Sequence, residues 1–275
     1  MILVTGATGN AGGAVVRALV ERGEDVRGLV RSANAVLPAG AERALGDLDR
    51  PESMTEALAG ARGLFLLSGY RDMPGVLAQA RGAGVERVVL LSGGAAVAVD
   101  TDNPISQYMI RSEKAVRAAG LGWTILRPHE FMSNALRWAA QVRSGDVVRA
   151  PFADVSVAVI DPCDIAETAV TALLDGGHEG RSYRLSGPQS LLPEERVGIL
   201  AEAVGRALRF EAQSVDEARA EMSKSMPPEY VEALVRFYVD GWVDESPVLA
   251  TVEKITGHKP GTFEQWAFDR VEAFR

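Results

Sequence analysis

The sequence predicts an α/β protein, a doubly wound parallel sheet of the Rossmann type carrying a small, mostly helical C-terminal lobe. Three observations predict it. Through the first 130 residues, short β-branched or leucine-rich runs alternate with helical stretches. The runs at 64–67 and 88–91 are continuously apolar, as parallel strands covered on both faces must be. A glycine-rich turn sits between the first run and the first amphipathic stretch.

The elements follow in order. Residues 2–4 form a buried strand, and Val15, Val16, Leu19 and Val20 recur at helical spacing after it. Gly23 ends that helix as its C′ residue. Residues 25–30 give the second strand and 42–45 a weak third. Asp49 is placed to cap a helix whose first turn holds Pro51. Strands at 64–67 and 88–91 flank a helix at 73–83; a helix at 106–119 then leads to a sixth strand at 123–126. After Pro128 the rhythm changes to a helix at 131–142, a strand at 155–160 and a helix at 162–174. Helices dominate from Ser190, with one short strand at 208–213 and loops at Pro227-Pro228 and Ser246-Pro247. The expected division is a core of residues 1–130, with 155–175 returning to it, and a smaller lobe of 131–154 and 176–275.

Composition narrows the partners. A net charge of −8 over 275 residues leaves no basic face for a nucleic-acid duplex or an anionic membrane surface. One cysteine, Cys163, permits no intrachain disulfide, and histidines at 129, 178 and 258 have no metal-ligand spacing. The longest uncharged apolar run, 88–99, is shorter than the ~20 residues a bilayer requires. The N-terminus lacks a basic segment before its apolar residues. These features predict a cytoplasmic protein without metal.

The segment 4–13, Val-Thr-Gly-Ala-Thr-Gly-Asn-Ala-Gly-Gly, carries the chemistry. Gly6 permits the sharp exit from the strand, Gly9 clears a path for a pyrophosphate, and Gly12 lets the helix pack closely. Thr8, Asn10 and Ala11 complete the loop. The helix N-terminus then offers free amides and a positive dipole end to phosphates. The spacing is G-x-x-G-x-x-G. Arg31 stands 19 residues past Gly12, where a carboxylate would bind the ribose 2′-hydroxyl of NAD. A guanidinium there suits a 2′-phosphate, so the expected cofactor is NADP(H) in preference to NAD(H).

Taken together, Gly6/Gly9/Gly12, Arg31, Gly46-Asp47-Leu48, Thr124-Ile125-Leu126-Arg127-Pro128, Phe131-Met132-x-Asn134 and Asp161-x-x-Asp164-Ile165-Ala166 resemble the NmrA-like atypical short-chain dehydrogenases/reductases, the group that includes type-2 quinone oxidoreductases. The similarity continues through Tyr183–Pro188 (Tyr-Arg-Leu-Ser-Gly-Pro) and Ile255-Thr256-Gly257 to Phe263-Glu264-Gln265-Trp266. The resemblance implies that Asp47 and Leu48 border the adenine, that Leu67, Ser68, Gly69 and Ser92 line the cofactor path, and that Pro128 lies near the nicotinamide. From the residues alone, Asp47 is equally a turn residue and Ser92 an ordinary strand-end hydroxyl.

The Tyr-x-x-x-Lys pair of other members of the superfamily is absent. Tyr108 has Ser112 four residues on, Lys114 has Ile110 four residues before it, and the usual basic position falls near Met109. Alcohol or ketone chemistry and sugar-nucleotide epimerisation need such an acid/base; reduction of a quinone does not, because the hydroquinone anion can take its proton from water. The expected function is therefore hydride transfer from NAD(P)H to a quinone or similar electron-poor small molecule. The alternative is a redox sensor that binds NADP(H) without catalysis. Candidate acceptor-slot residues are Tyr70, Phe131, Met132, Asn134 and Trp242, with Trp138 and Phe152 more simply core. His129 is either a proton relay or a surface or helix-start histidine. Asp161 and Asp164 fit helix capping, Cys163 reads as a buried structural thiol, and Arg111, Glu113, Lys114 and Arg117 as a solvated helix face. Packing of sheet-edge helices would make a homodimer.

Overall fold

The computed structural model describes residues 1–275. Seven parallel strands, β1 (Ile2–Val4), β2 (Val26–Val30), β3 (Glu42–Leu45), β4 (Gly63–Leu67), β5 (Arg87–Leu91), β6 (Gly122–Pro128) and β8 (Arg181–Leu185), lie in the order β3-β2-β1-β4-β5-β6-β8. The chain winds outward from β1 in one direction and from β4 in the other. The crevice between these two strands, outside their carboxyl ends, is the position at which such sheets bind ligands.

Period-two alternation explains the continuous apolar runs. Ile2, Val4, Phe65, Val89, Leu91 and Leu126 enter one core, against helices α1 (Asn10–Glu21) and α6 (Pro162–Leu174). Leu3, Leu64, Leu66, Val88, Leu90 and Ile125 enter the core on the opposite face, under α3 (Met73–Gly82) and α4 (Pro104–Ala118). Both faces are covered, so neither can be polar. Gly23, at φ +75°, follows the C-cap of α1 in the left-handed region.

A third core gathers Met132, Trp138, Val142, Val148, Val157, Val159, Val197, Leu200, Phe263, Trp266 and Phe274. It unites α5 (Ala139–Ser144), α7 (Pro193–Val204) and α11 (Phe263–Asp269) with a two-stranded parallel sheet, β7 (Val147–Ala150) and β9 (Arg209–Ala212). Helices α8 (Val215–Met222), α9 (Pro228–Val239) and α10 (Thr251–Thr256) complete the C-terminal region. No helix is long and apolar enough to cross a membrane.

Several local expectations are corrected. Residues 155–160 make only isolated bridges, Val157 to Leu191 and Ile160 to Phe131, although residues 157–160 are buried. Residues 131–142 open with a 3₁₀ stretch, Met132–Trp138, before α5 begins. Asp49 caps nothing: the segment Pro51–Met54 is 3₁₀, α2 is confined to Thr55–Leu58, and the Asp49 amide instead donates to Asp47 Oδ1 at 3.1 Å. Cys163 is exposed. Asp161 does cap α6, accepting the Cys163 amide at 2.8 Å.

Candidate active site

The glycine loop leaves β1 at the crevice. Gly6 adopts φ +63° with Leu67 Cδ1 2.5 Å from where a Cβ would stand. At Gly12 a Cβ would lie 2.2 Å from the Gly6 carbonyl oxygen and 2.7 Å from that of Thr5, so the helix can approach the strand this closely only without a side chain. Helix α1 starts from Gly9 with no side-chain cap, leaving its first amides to an outside acceptor. Thr8, Gly9 and Asn10 are exposed, while Ala11 and Gly12 are buried in the turn. Asn10 Nδ2 donates to Ser133 Oγ at 3.1 Å, tying the loop to the segment beyond β6. This cradle fits the diphosphate of a dinucleotide.

The flanking positions sit at the carboxyl ends of successive strands. Arg31 directly follows β2 and is exposed. Arg27 on the same strand is tied to Glu42 and to the carbonyls of Ala57 and Ala59, whereas Arg31 has no such partners. Asp47 accepts from the Asp49 amide and from Arg50. The Ser68 amide donates to the Leu91 carbonyl at 3.2 Å. Gly69, at φ +102°, donates its amide to Ser112 Oγ at 3.0 Å and packs on the Tyr108 ring. Ser112, four residues after Tyr108, is thus a brace between α4 and the end of β4. Burial pushes the Tyr108 phenol up, with the nearby Tyr230 adding to it, and no ammonium opposes this.

A cavity of about 690 Å³ opens at the ends of β5 and β6. Ser92, Gly93 and Gly94 form one wall and Pro128, His129 and Glu130 another, with Phe131 and Asn134 beside them. Tyr108, Tyr230, Phe237, Tyr238 and Val243 supply an aromatic and apolar lining, and Glu245 reaches in from the loop after α9. A second cavity, of about 900 Å³, shares Glu130, Asn134, Met226, Leu234 and Tyr238 with the first.

The floor is fixed by a buried ionic network. Glu113, 2% exposed, accepts from Arg127 through both oxygens at 2.8 and 2.6 Å, from Arg117 at 2.9 Å and from Ser92 Oγ at 2.8 Å. Burial alone would raise its pKa, but the bonds from Arg127, Ser92 and Arg117 outweigh it and hold the carboxyl below its ordinary value. Ser92 spends its proton on this carboxylate and faces the cavity only as an acceptor. Glu113 therefore does not belong to a solvated face.

His129 is buried at the end of β6, 1% exposed, and is neither a surface nor a helix-start residue. Burial and the Arg184 guanidinium, 3.2 Å from Nε2, push its pKa down to about 4. Arginine can only donate, so Nε2 accepts and the neutral ring carries its proton on Nδ1.

Two carboxylates meet here in different environments. Glu130 is paired with Arg137 at 3.4 Å and Arg196 at 3.6 Å. Glu245 has no cationic partner; its Oε2 accepts the Glu130 amide at 2.8 Å. Burial chiefly, and the Glu130 charge after it, push Glu245 up to about 7 despite that bond.

Of the acceptor-slot residues, Phe131 and Asn134 line the first cavity. Met132 is 1% exposed within the third core. Tyr70 packs on the second core, among Arg31, Asp47 and Asp49, at the opposite end of the crevice. Trp242 lies under the Arg236 guanidinium, 5.0 Å from its ring centroid, and packs with residues of the cavity wall without lining the cavity itself. Leu48 is 4% exposed and packs in the second core. Trp138 is 5% exposed and stacked by Arg196, while Phe152 stacks on Tyr238 at 4.7 Å; both line the second cavity. Sequence reasoning missed Tyr230, Tyr238 and Glu245. Nothing in a polar Asp-Glu-Ser-Pro loop signals that its glutamate returns to the sheet.

A family model described as NAD(P)H-binding matches residues 6–175. The chain belongs to the NAD(P)H-binding family. It is 38% identical over its whole length to (4-alkanoyl-5-oxo-2,5-dihydrofuran-3-yl)methyl phosphate reductase of Streptomyces griseus, covering 99% of that protein. It is 33% identical to the NAD(P)H azoreductase of Xenophilus azovorans, covering 100% of this chain and 99% of that one. The NADPH-dependent quinone oxidoreductase of Escherichia coli, solved with NADPH, has the same fold: TM-score 0.78, 24% identity, 97% of this chain and 98% of that one. The family resemblance read from the sequence holds.

Proposed function

We propose that this member of the family is a cytoplasmic NAD(P)H-dependent oxidoreductase that delivers hydride to a quinone or a similarly electron-poor conjugated small molecule, with NADPH the preferred donor. The observation that carries the reading is the first cavity. It joins the ends of β5 and β6 beside the glycine crevice, is lined largely by aromatic and apolar side chains, and contains no tyrosine–lysine pair. NAD(P)H supplies a hydride from its nicotinamide ring when bound. The amides of the Gly6–Gly12 loop would hold the diphosphate, Arg31 would meet the 2′-phosphate, and Pro128 and Ser92 would orient the ring. Phe131 and the tyrosines offer flat faces to a planar acceptor and exclude water from it.

The named relatives support the acceptor class. A dihydrofuranone bearing an acyl group and an azo compound are, like quinones, π-systems depleted of electrons. A purely regulatory role draws no support from relatives named as reductases. The test is NADPH oxidation by the purified protein with menadione, and with an azo dye as second acceptor. Saturable turnover with either is expected; tight NADPH binding with no turnover across a panel of quinones and azo dyes would refute the reading.

A further inference from the structure

Resting on the reductase reading above, we propose that Glu245 is the general acid of the reaction, donating from Oε1 the proton that completes reduction of the acceptor. Its place in the fold carries the inference. One oxygen, Oε2, accepts the Glu130 amide just past the end of β6. The other, Oε1, stands 2.9 Å from where a Cβ on Gly94 would be, two residues past Ser92. A single carboxyl thus bridges the two loops that form the cavity walls, with its free oxygen on the β5 side.

Its surroundings separate it from the other carboxyl of the same cavity. Glu130 faces two guanidinium groups, whereas Glu245 pairs with none. The titratable and charged groups around Glu245 are Glu130 and His129 from the end of β6, Arg184 from β8, Tyr238 from α9 and Asp244 beside it. Arg184 is already engaged by His129 Nε2 and the Asp244 carbonyl, and His129 is neutral. Glu245 therefore holds its proton up to about pH 7. A buried carboxyl without a cation, beside one paired with two guanidinium groups, is in the environment that keeps an acid protonated.

The step balances. Hydride brings the acceptor two electrons and one hydrogen nucleus, leaving negative charge on a quinone oxygen or an azo nitrogen. The Oε1–H bond of Glu245 breaks and an O–H or N–H bond forms on that atom. Water returns a proton to the carboxylate after product leaves.

The experiment compares wild type with Glu245→Gln, which still accepts the Glu130 amide, and with Glu245→Asp, which keeps an acid. With menadione, wild-type kcat should fall as pH rises through about 7. The Gln variant should lose roughly 100-fold in kcat and that pH dependence, with its NADPH Kd unchanged, while the Asp variant keeps the pH dependence at a lower rate. A cationic triarylmethane dye becomes neutral on taking hydride alone and needs no proton, so its reduction should be spared in the Gln variant and flat with pH in wild type. Independently of turnover, carboxyl-¹³C glutamate labelling of the nucleotide-free protein should show one glutamate titrating near neutrality, absent from the Gln variant. All glutamates titrating below about pH 5, or quinone turnover whose rate and pH profile survive Glu245→Gln, overturns the assignment and leaves the reductase reading standing. Wild-type protein inactive with every acceptor overturns both.

Discussion

Arg31 and Glu113 show how differently two charged residues behave when they look alike in sequence. Arg31 is exposed at the end of β2, and unlike Arg27 it is not engaged by the protein itself. If it selects a 2′-phosphate, Arg31→Ala should weaken NADPH by about 1.5–3 kcal/mol, the worth of a charged hydrogen bond, and leave NADH nearly unchanged. Calorimetric titration of both nucleotides checks this; equal losses would show that Arg31 does not select the 2′-phosphate. The place of Arg31, just past the end of β2, was legible because its distance from Gly12 is set by one local unit, strand–loop–helix–strand. Glu113 was not, because its burial depends on Arg127 of a different element. Helical periodicity cannot reveal a counter-ion 14 residues away on a strand. The same holds for Glu245, whose partner backbone lies 115 residues before it.

Among the elements, α1 and its turn bear the greatest constraint. The Gly12 position admits no Cβ, and the atoms it would strike are backbone carbonyls that cannot rotate aside. Gly12→Ala should force α1 away from β1, lowering stability by roughly 1–3 kcal/mol and weakening NADPH and NADH together. Denaturant melts with nucleotide titrations test it, and a variant with wild-type affinity for both would show the close approach to be dispensable. The central strands were readable because burial on both faces imposes an unbroken apolar run. Strands β7 and β8 were not: β7 pairs only with β9, and β8 is an edge strand whose residues from Arg181 to Arg184 are exposed or half-buried. The stretch 155–160 misled for the converse reason. It is β-branched and buried largely as core lining, with its backbone bonded piecemeal to Leu191, Glu245 and Glu130.

Across the molecule, Asp164 joins the sheet's helical layer to the C-terminal region. Its Oδ2 accepts the Gly261 amide at 2.9 Å, just ahead of α11. Burial chiefly, with the charge of Asp161 adding to it, raises its pKa to about 7 although the Gly261 bond opposes this. Between the ordinary aspartate value and about 7 the folded state keeps a proton that the unfolded chain has released, so stability falls as pH rises through that window. Glu245 acts in the same direction and His129, lowered to about 4, in the opposite one, so the wild-type profile alone is composite. Asp164→Asn keeps an acceptor for Gly261 without the charge. Relative to wild type it should gain on the order of 2–4 kcal/mol between pH 5 and pH 8. Urea melts at the two pH values measure it; a difference independent of pH would show that Asp164 titrates normally.

The two joined cavities take part of their walls from Met222, Met226, Leu234 and Tyr238, on α8, α9 and the turn between them, whereas the glycine loop rests on β1 and α1. Part of the cavity lining and the glycine loop thus come from opposite ends of the chain. Flexible thioethers can reshape the former without straining the latter. A lineage could therefore exchange one oxidant for another by rewriting a helical hairpin, and never disturb its electron source.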